Sequence, residues 1–177
     1  MIFIIGPGGV GKTTAGRQLA ELMGRPFVDL DAEFCAQIAN IGAYHRVFGH
    51  AAYRERNARL AQLLVERGDQ RAVMATSSGF LDDEPSPEIA ERNARLLCTF
   101  GASVLLLPSL RLDDSASIIV ARQMGRGFGL DPERERAKFL RRFPVYRAHG
   151  DVQVSPIGPP AEVARRMRDA LAAAGLA

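Results

Sequence analysis

The amino-acid sequence predicts a single α/β domain of three layers, with helices on both faces of a five-stranded parallel sheet. Its strand candidates are short, continuous apolar runs without in–out alternation, which is typical of strands buried on both faces. These runs alternate with segments of helical periodicity along the whole chain. The length of 177 residues suits one domain, residues 1–177.

Each strand is predicted from an apolar run that is bounded by turn residues. The run at 2–5 leads directly into glycines, and the run at 103–107 is the most hydrophobic, so we expect it near the centre of the sheet. The five predicted strands are residues 2–5, 26–30, 71–76, 103–107 and 152–154.

Each helix is predicted from apolar spacing together with its end signals. Gly24 ends the first helix, Ser86 can cap the third, and Asp131 can cap a fourth that Pro144 should kink or end. The predicted helices are residues 12–23, 51–66, 87–97, 132–142 and 160–174.

Composition narrows the class of protein and its partners. Hydrophobic residues make up 47% and charged residues 24%, and the net charge is +3, which is the balance of an ordinary soluble domain. The basic residues form no continuous block and do not alternate with aromatics, so we expect no nucleic-acid partner. No apolar run reaches the roughly 18 residues of a membrane span, so we expect no membrane association and a cytoplasmic location.

The two cysteines are expected to be structural. Cys35 and Cys98 are isolated from each other in apolar stretches, where a free cysteine behaves as a small buried hydrophobe. This usage favours a reducing compartment. The three histidines, His45, His50 and His149, are too scattered for a metal site and are interpreted as surface residues.

A glycine-rich loop between the first strand and the first helix carries the clearest functional signal. Residues 6–14 read Gly-Pro-Gly-Gly-Val-Gly-Lys-Thr-Thr, which matches the P-loop pattern G-x-x-x-x-G-K-[ST] in the required strand–loop–helix context. Lys12, expected to face ligand and solvent, can reach the β- and γ-phosphates, and Thr13 can offer its hydroxyl to Mg²⁺. The predicted nucleotide-binding residues of the loop are Gly6, Gly8, Gly9, Val10, Gly11, Lys12, Thr13 and Thr14.

Two carboxylates follow at the end of the second predicted strand. Asp29 and Asp31 stand two positions apart, and residues at this spacing point to the same face of a strand. The carboxyl ends of parallel strands line the ligand crevice of such a sheet. We therefore expect both carboxylates in the functional site.

Beyond these residues, the sequence resembles the shikimate kinase family. The segment Gly-His-Ala-Ala-Tyr-Arg at 49–54 is similar to the family's Gly-Glu-x-x-Phe-Arg, and Arg-Phe-Pro-Val-Tyr at 142–146 matches its Arg-x-Pro-x-Tyr. Order and spacing agree over nearly the whole chain. The resemblance implies a strand order of 2-3-1-4-5, use of ATP and Mg²⁺, a substrate-binding helical segment at about 32–66 and a lid at about 111–131.

The resemblance also implies roles for individual residues. Asp31 would hold the acceptor hydroxyl and take its proton, while Asp29 would lie near Mg²⁺. Arg54 and Arg142 would bind the substrate carboxylate, for which the planar guanidinium is well suited. From the lid, Arg126 or Arg122 would close over the transferring phosphate; Arg126 is the predicted catalytic residue.

Arg122 of the same lid is the predicted nucleotide contact.

The chain departs from the family at the turn after the third strand. Ser77 and Ser78 stand where the family has glycines, and only Gly79 keeps the residue type. These three residues are predicted to contact the substrate, with the two serines narrowing or reshaping its pocket.

Together these features predict a kinase that transfers a phosphoryl group from ATP to a hydroxyl of a small anionic metabolite, with shikimate first among the acceptors. One alternative is a kinase of the same fold acting on another small hydroxylated acid, which the serines would favour. Another is a regulatory module that binds the nucleotide and hydrolyses it slowly or not at all. We expect a monomer.

Overall fold

The computed structural model describes residues 1–127 and 129–176. Five parallel strands form one sheet in the order β2-β3-β1-β4-β5, so the predicted fold class and strand order are confirmed. The strands are β1 Ile2–Ile5, β2 Phe27–Asp29, β3 Val73–Ala75, β4 Ala102–Leu106 and β5 Val152–Val154.

Seven helices accompany the strands within the described residues. They are α1 Lys12–Met23, α2 Leu30–Gln37, α3 Ile41–Arg67, α4 Pro87–Phe100, α5 Leu112–Met124, α6 Pro132–Ala148 and α7 Pro160–Ala173. Helices α1 and α7 pack against each other and against the sheet, while α4 contacts both α3 and β4. All residues of β1, β3 and β4 are buried, as their continuous apolar pattern predicts.

Four helices differ from the boundaries that helical periodicity predicts. Helical periodicity predicted neither α2 nor α5; most of α2 falls within the helical segment at about 32–66 that the family resemblance implies, and α5 occupies most of the predicted lid at 111–131. Helix α3 begins ten residues earlier than expected and is kinked at Gly49, whose φ of 80° is left-handed. Pro144 lies inside α6 without ending it, and the helix continues to Ala148.

The cysteine prediction was wrong, because Cys35 and Cys98 are both exposed. Cys35 lies on α2 and Cys98 on α4. Their apolar neighbours in sequence point in other directions, so an apolar stretch of sequence did not predict whether the cysteines are buried. Among the described residues, no helix combines the length and the apolarity that crossing a bilayer requires.

Candidate active site

The glycine-rich loop joins the carboxyl end of β1 to the first turn of α1. Gly9 and Gly11 have φ values of 72° and 100°, which favour glycine and turn backbone N–H groups toward the inside of the loop. A side chain at Gly8 would place its Cβ 2.6 Å from Nε2 of Gln123. The loop therefore has the close backbone wrap that phosphate binding requires.

Lys12 is buried, with only 9% of its surface exposed, so the expectation that it faces solvent was wrong. Its Nζ donates to the carbonyl oxygens of Gly6 at 2.8 Å and Pro7 at 3.0 Å. Burial lowers the pKa of Lys12 to about 8, although Asp31 and Asp29 act to raise it. An anionic phosphate in the loop would supply the negative charge that this buried ammonium lacks.

Asp29 and Asp31 are both at the site, but not as neighbours on one strand face. The strand β2 ends at Asp29, which becomes the N-cap of α2: its Oδ1 accepts from the backbone N–H groups of Asp31 and Ala32. Its Oδ2 accepts from the Thr13 hydroxyl at 2.6 Å. Capping thus fixes Asp29 beside Thr13 and places Asp31 on the first helical turn, which corrects the geometry predicted from the two-residue spacing.

The phosphate loop opens onto a cavity of about 630 Å³, here called the nucleotide cavity. Its lining residues are Gly8, Gly9, Gly11, Lys12, Thr13, Thr14, Asp29, Asp31, Thr76, Ser78, Arg122, Gly125 and Arg126. A smaller cavity of about 190 Å³ shares Gly11, Thr14 and Arg122 with it and extends to Pro156. Of the predicted loop residues, Gly6 and Val10 support the loop without lining the nucleotide cavity.

A second cavity of about 620 Å³, here called the acceptor cavity, lies beside the first. Its polar lining residues include Asp31, His45, His50, Tyr53, Arg54, Asn57, Ser77, Ser78, Asp82, Lys138, Arg141 and Arg142. Asp31 and Ser78 line both cavities. A hydroxyl bound in the acceptor cavity could therefore reach a phosphate bound in the nucleotide cavity at Asp31.

Arg54 and Arg142 are buried in the wall of the acceptor cavity. Arg54 donates to the backbone carbonyls of Asp82 and Glu84. Arg142 donates from Nε to Oδ2 of Asp82 at 2.6 Å, and Arg141 binds both carboxylate oxygens of the same aspartate at 2.5 and 2.9 Å. One acidic side chain thus fixes two arginines of this wall.

Asp82 was not singled out from the sequence. Burial would raise its pKa, but the hydrogen bonds and charges of Arg141 and Arg142 outweigh burial and hold the pKa below its usual value. The only sequence signal was an acidic run, Asp82-Asp83-Glu84, directly after the serine turn. Nothing local distinguishes the buried member of that run from its exposed neighbours.

The turn after β3 brings its three predicted residues to different places. The Ser77 hydroxyl is buried and contacts Asp31, whereas Ser78 is half-buried between the two cavities. Gly79 lies against Arg142: a Cβ at this position would be 3.3 Å from Nη2 of that arginine. Because glycine has no Cβ, it does not crowd the Arg142 guanidinium in the cavity wall.

The two predicted arginines near the lid both lie at the nucleotide cavity. Arg122, on α5, donates to the carbonyls of Val10 at 3.2 Å and Pro156 at 3.3 Å. Arg126 donates to Gln123 at 3.1 Å and makes further interactions. The lid segment at about 111–131 also contains Phe128, which lies outside the described residues.

Comparison with known proteins identifies the family. A family model described as shikimate kinase matches residues 8–172. A shikimate kinase of Halorhodospira halophila is 31% identical over 173 residues, which cover 96% of this chain and 92% of the relative. The chain belongs to the shikimate kinase family. The predicted enzyme class, a phosphotransferase, is confirmed with it.

Solved structures of shikimate kinases share the whole architecture. The Acinetobacter baumannii enzyme in complex with shikimate has a TM-score of 0.78 and 26% identity, covering 97% of this chain and 92% of that one. The Aquifex aeolicus enzyme also has a TM-score of 0.78, at 20% identity, covering 98% and 97% of the two chains. The second likeness shows the shikimate kinase fold alone.

Within this shikimate kinase fold, two histidines have positions that the sequence analysis missed. His45 is half-buried and His50 lies 5.2 Å from it between ring centroids, and both line the acceptor cavity. Burial lowers the pKa of each imidazole and so favours its neutral form. His50 is exposed, in agreement with its interpretation as a surface residue, whereas the half-buried position of His45 was not predicted; the kink at Gly49 lies between the two in α3.

Proposed function

We propose that this chain transfers the γ-phosphoryl group of ATP to a hydroxyl of shikimate. The observation that carries the proposal is the meeting of the nucleotide and acceptor cavities at Asp31. A carboxylate at such a junction can contact an acceptor hydroxyl and lies beside the phosphate to be transferred. Because phosphoryl transfer depends mainly on positioning and charge stabilisation, this geometry supports the reaction.

On the nucleotide side, the loop amides and Lys12 would hold the phosphates. The Thr13 hydroxyl and the Asp29 carboxylate, 2.6 Å apart, are the hard oxygen donors that suit Mg²⁺. When bound, Mg²⁺ would neutralise charge on the β- and γ-phosphate oxygens. Arg126 lines the same cavity and would stabilise charge on the transferring group, while Arg122 would contact the nucleotide.

On the acceptor side, Arg54 and Arg142 would bind the carboxylate of the acid. Both guanidinium groups are already oriented by Asp82 and its loop, so little of their rotamer freedom is lost when the acid binds. Asp31 would accept the proton of the hydroxyl that attacks the γ-phosphorus. The Acinetobacter baumannii relative, whose structure contains shikimate, supports this acid as the acceptor.

A coupled ADP-release assay over hydroxylated carboxylic acids tests the proposal, with shikimate included. We expect shikimate to give the highest kcat/KM and ADP release to depend on the acceptor. Equal ADP release with and without every acid would contradict the proposal and favour a regulatory ATPase.

A different small hydroxylated acid is the second candidate, and the acceptor cavity gives a specific reason for it. His50 and Ser78 line this cavity, where the resemblance implies a glutamate and a glycine. Added hydroxyl and imidazole groups would suit an acceptor with more polar substituents. The same assay decides between the candidates, because a higher kcat/KM for another acid than for shikimate would select the second.

A further inference from the structure

A buried network of polar side chains lies directly beneath Asp31. The Ser77 hydroxyl is 2.5 Å from Oδ1 of Asp31, and Nδ2 of Asn57 is 3.1 Å from the Ser77 oxygen. The Tyr53 hydroxyl is 3.4 Å from the same Oδ1. Residues from α3 and from the turn that follows β3 therefore converge on Oδ1 of Asp31.

The direction of these hydrogen bonds follows from the groups involved. An ionised carboxylate only accepts, so Ser77 donates its single proton to Asp31. The serine oxygen then accepts from the Asn57 amide, which has two protons to give. The single proton of Tyr53 can go to Oδ1 at 3.4 Å or to the Ser77 oxygen at 3.5 Å, and neither hydroxyl contacts Oδ2 of the carboxylate.

Ser77 and Asn57 are buried, whereas Asp31 is exposed. Ser77 is 5% exposed and Asn57 is 3% exposed, whereas Asp31 is exposed on the first turn of α2. An exposed aspartate samples several side-chain rotamers. A hydrogen bond from the buried Ser77 hydroxyl favours one of them.

We propose that Ser77 is a positioning residue for phosphoryl transfer, holding Oδ1 of Asp31 so that Oδ2 is presented to the acceptor hydroxyl. This inference rests on the proposed function. It also changes the role expected of Ser77, which acts through Asp31 and not as a substrate contact. A glycine, which the resemblance implies at this position, has no hydroxyl to donate.

Ser77 supports the transfer of the γ-phosphoryl group to the acceptor hydroxyl. The acceptor hydroxyl oxygen forms a bond to the γ-phosphorus, and the bond from that phosphorus to the bridging oxygen of ADP breaks. The bond's electron pair leaves with ADP, and the hydroxyl proton passes to Oδ2 of Asp31. Ser77 keeps its own proton throughout, because it donates only a hydrogen bond.

Two serine variants separate positioning from general packing. Ser77→Ala removes the hydroxyl that contacts Asp31. Ser103→Ala is the matched control, since Ser103 is also buried and donates to an aspartate, Asp151, at 2.8 Å. It lies near the amino end of β4, at the sheet edge opposite the site.

With shikimate as acceptor, Ser77→Ala should lower kcat on the order of tenfold, with the KM values for ATP and acid within about twofold. Ser103→Ala should leave kcat unchanged, and Ser77→Thr, which restores a hydroxyl, should regain most of the lost rate. An unchanged kcat in Ser77→Ala overturns the inference. An equal loss in Ser103→Ala does so as well.

A double-variant cycle tests whether Ser77 acts through Asp31. In an Asp31→Ala background the Ser77→Ala change should alter kcat by less than about twofold, because no carboxylate remains to be positioned. The same tenfold factor in both backgrounds would assign Ser77 a role independent of Asp31 and overturn the inference.

A crystal structure of Ser77→Ala provides a readout that does not depend on turnover. The Asp31 side chain should adopt a different rotamer or more than one, and a single unchanged carboxylate position would overturn the inference. If the unmodified protein fails to phosphorylate shikimate, the proposed function is contradicted. The crystal structure still decides the role of Ser77.

Discussion

Replacing Asp82 with asparagine should destabilise the protein more than any exposed acidic substitution near it. The Asp82 side chain is 1% exposed and bonds with Arg141 and with Arg142, which is itself buried. Removing one partner of a buried ion pair costs about 3–5 kcal/mol. Asparagine keeps one acceptor oxygen, so we expect a loss of about 3 kcal/mol in the free energy of unfolding.

Thermal melting measures this loss directly. For a domain of this size, 1 kcal/mol shifts Tm by roughly 2–4 °C, so Asp82→Asn should lower Tm by about 6–12 °C. Asp83→Asn is the matched control, because Asp83 is adjacent, 58% exposed and 3.9 Å from Arg141. It should lower Tm by no more than about 2 °C.

The pH dependence adds a second test of the same ion pair. The pKa of Asp82 is lowered in the folded protein, so its stabilising contribution is present above the unfolded-state pKa of about 3.9. It is lost as the pH falls through the lower folded value. The Tm difference between the unmodified protein and Asp82→Asn should therefore shrink below about pH 4. Equal Tm losses in the two variants, or a difference that grows in acid, would refute the reasoning.

Three further predictions concern the proposed reaction. Lys12→Ala should abolish ADP release and weaken ATP binding in calorimetry while a folded circular-dichroism spectrum remains, and near-normal turnover would contradict the phosphate-loop role. Replacing Arg54 or Arg142 with alanine should raise the KM for the acid by roughly tenfold or more and leave the ATP affinity unchanged. A normal KM in both variants would mean that the carboxylate of the acid binds at another place. Asp31→Asn should lower kcat by a factor of about 10²–10⁴. The defect of Asp29→Asn should be partly relieved by excess Mg²⁺ in steady-state assays. If excess Mg²⁺ rescues both variants equally, both carboxylates bind the metal.

The features that the sequence predicted well are those with local causes. The phosphate loop and its flanking strand and helix follow from glycine positions and apolar runs that lie within 23 residues of the amino terminus. The strand order came from the family resemblance, because apolar runs alone do not specify which strands pair. The family assignment and the fold are confirmed, whereas the individual site roles stay predictions.

The features that were missed depend on contacts between distant parts of the chain. Asp82 meets Arg141 and Arg142 across 59 and 60 residues, and no local pattern encodes that meeting. Asp29 is another case, since an extended strand and a helix N-cap are both compatible with its neighbours in sequence. The hydrogen bonds that make Asp29 the N-cap of α2, and so end β2, are seen only in the structure.

The histidines illustrate a third cause, a change of direction within one element. The helical pattern of α3 was recognised only from residue 51 onward, because Gly49 interrupts it. The segment before the kink carries His45 into the acceptor cavity, where its ring packs on Tyr53 at 4.4 Å between centroids. A glycine with positive φ inside a helix cannot be distinguished from a helix end by sequence alone.

The most direct test of the proposed reaction follows the γ-phosphoryl group itself. The protein is incubated with ATP labelled with ³²P at the γ-position, Mg²⁺ and shikimate, and the products are separated by ion-exchange chromatography. We predict that the label appears in an organic phosphoester that requires shikimate, and that Asp31→Asn slows its formation. Label released only as inorganic phosphate, at the same rate with or without shikimate, would contradict the account.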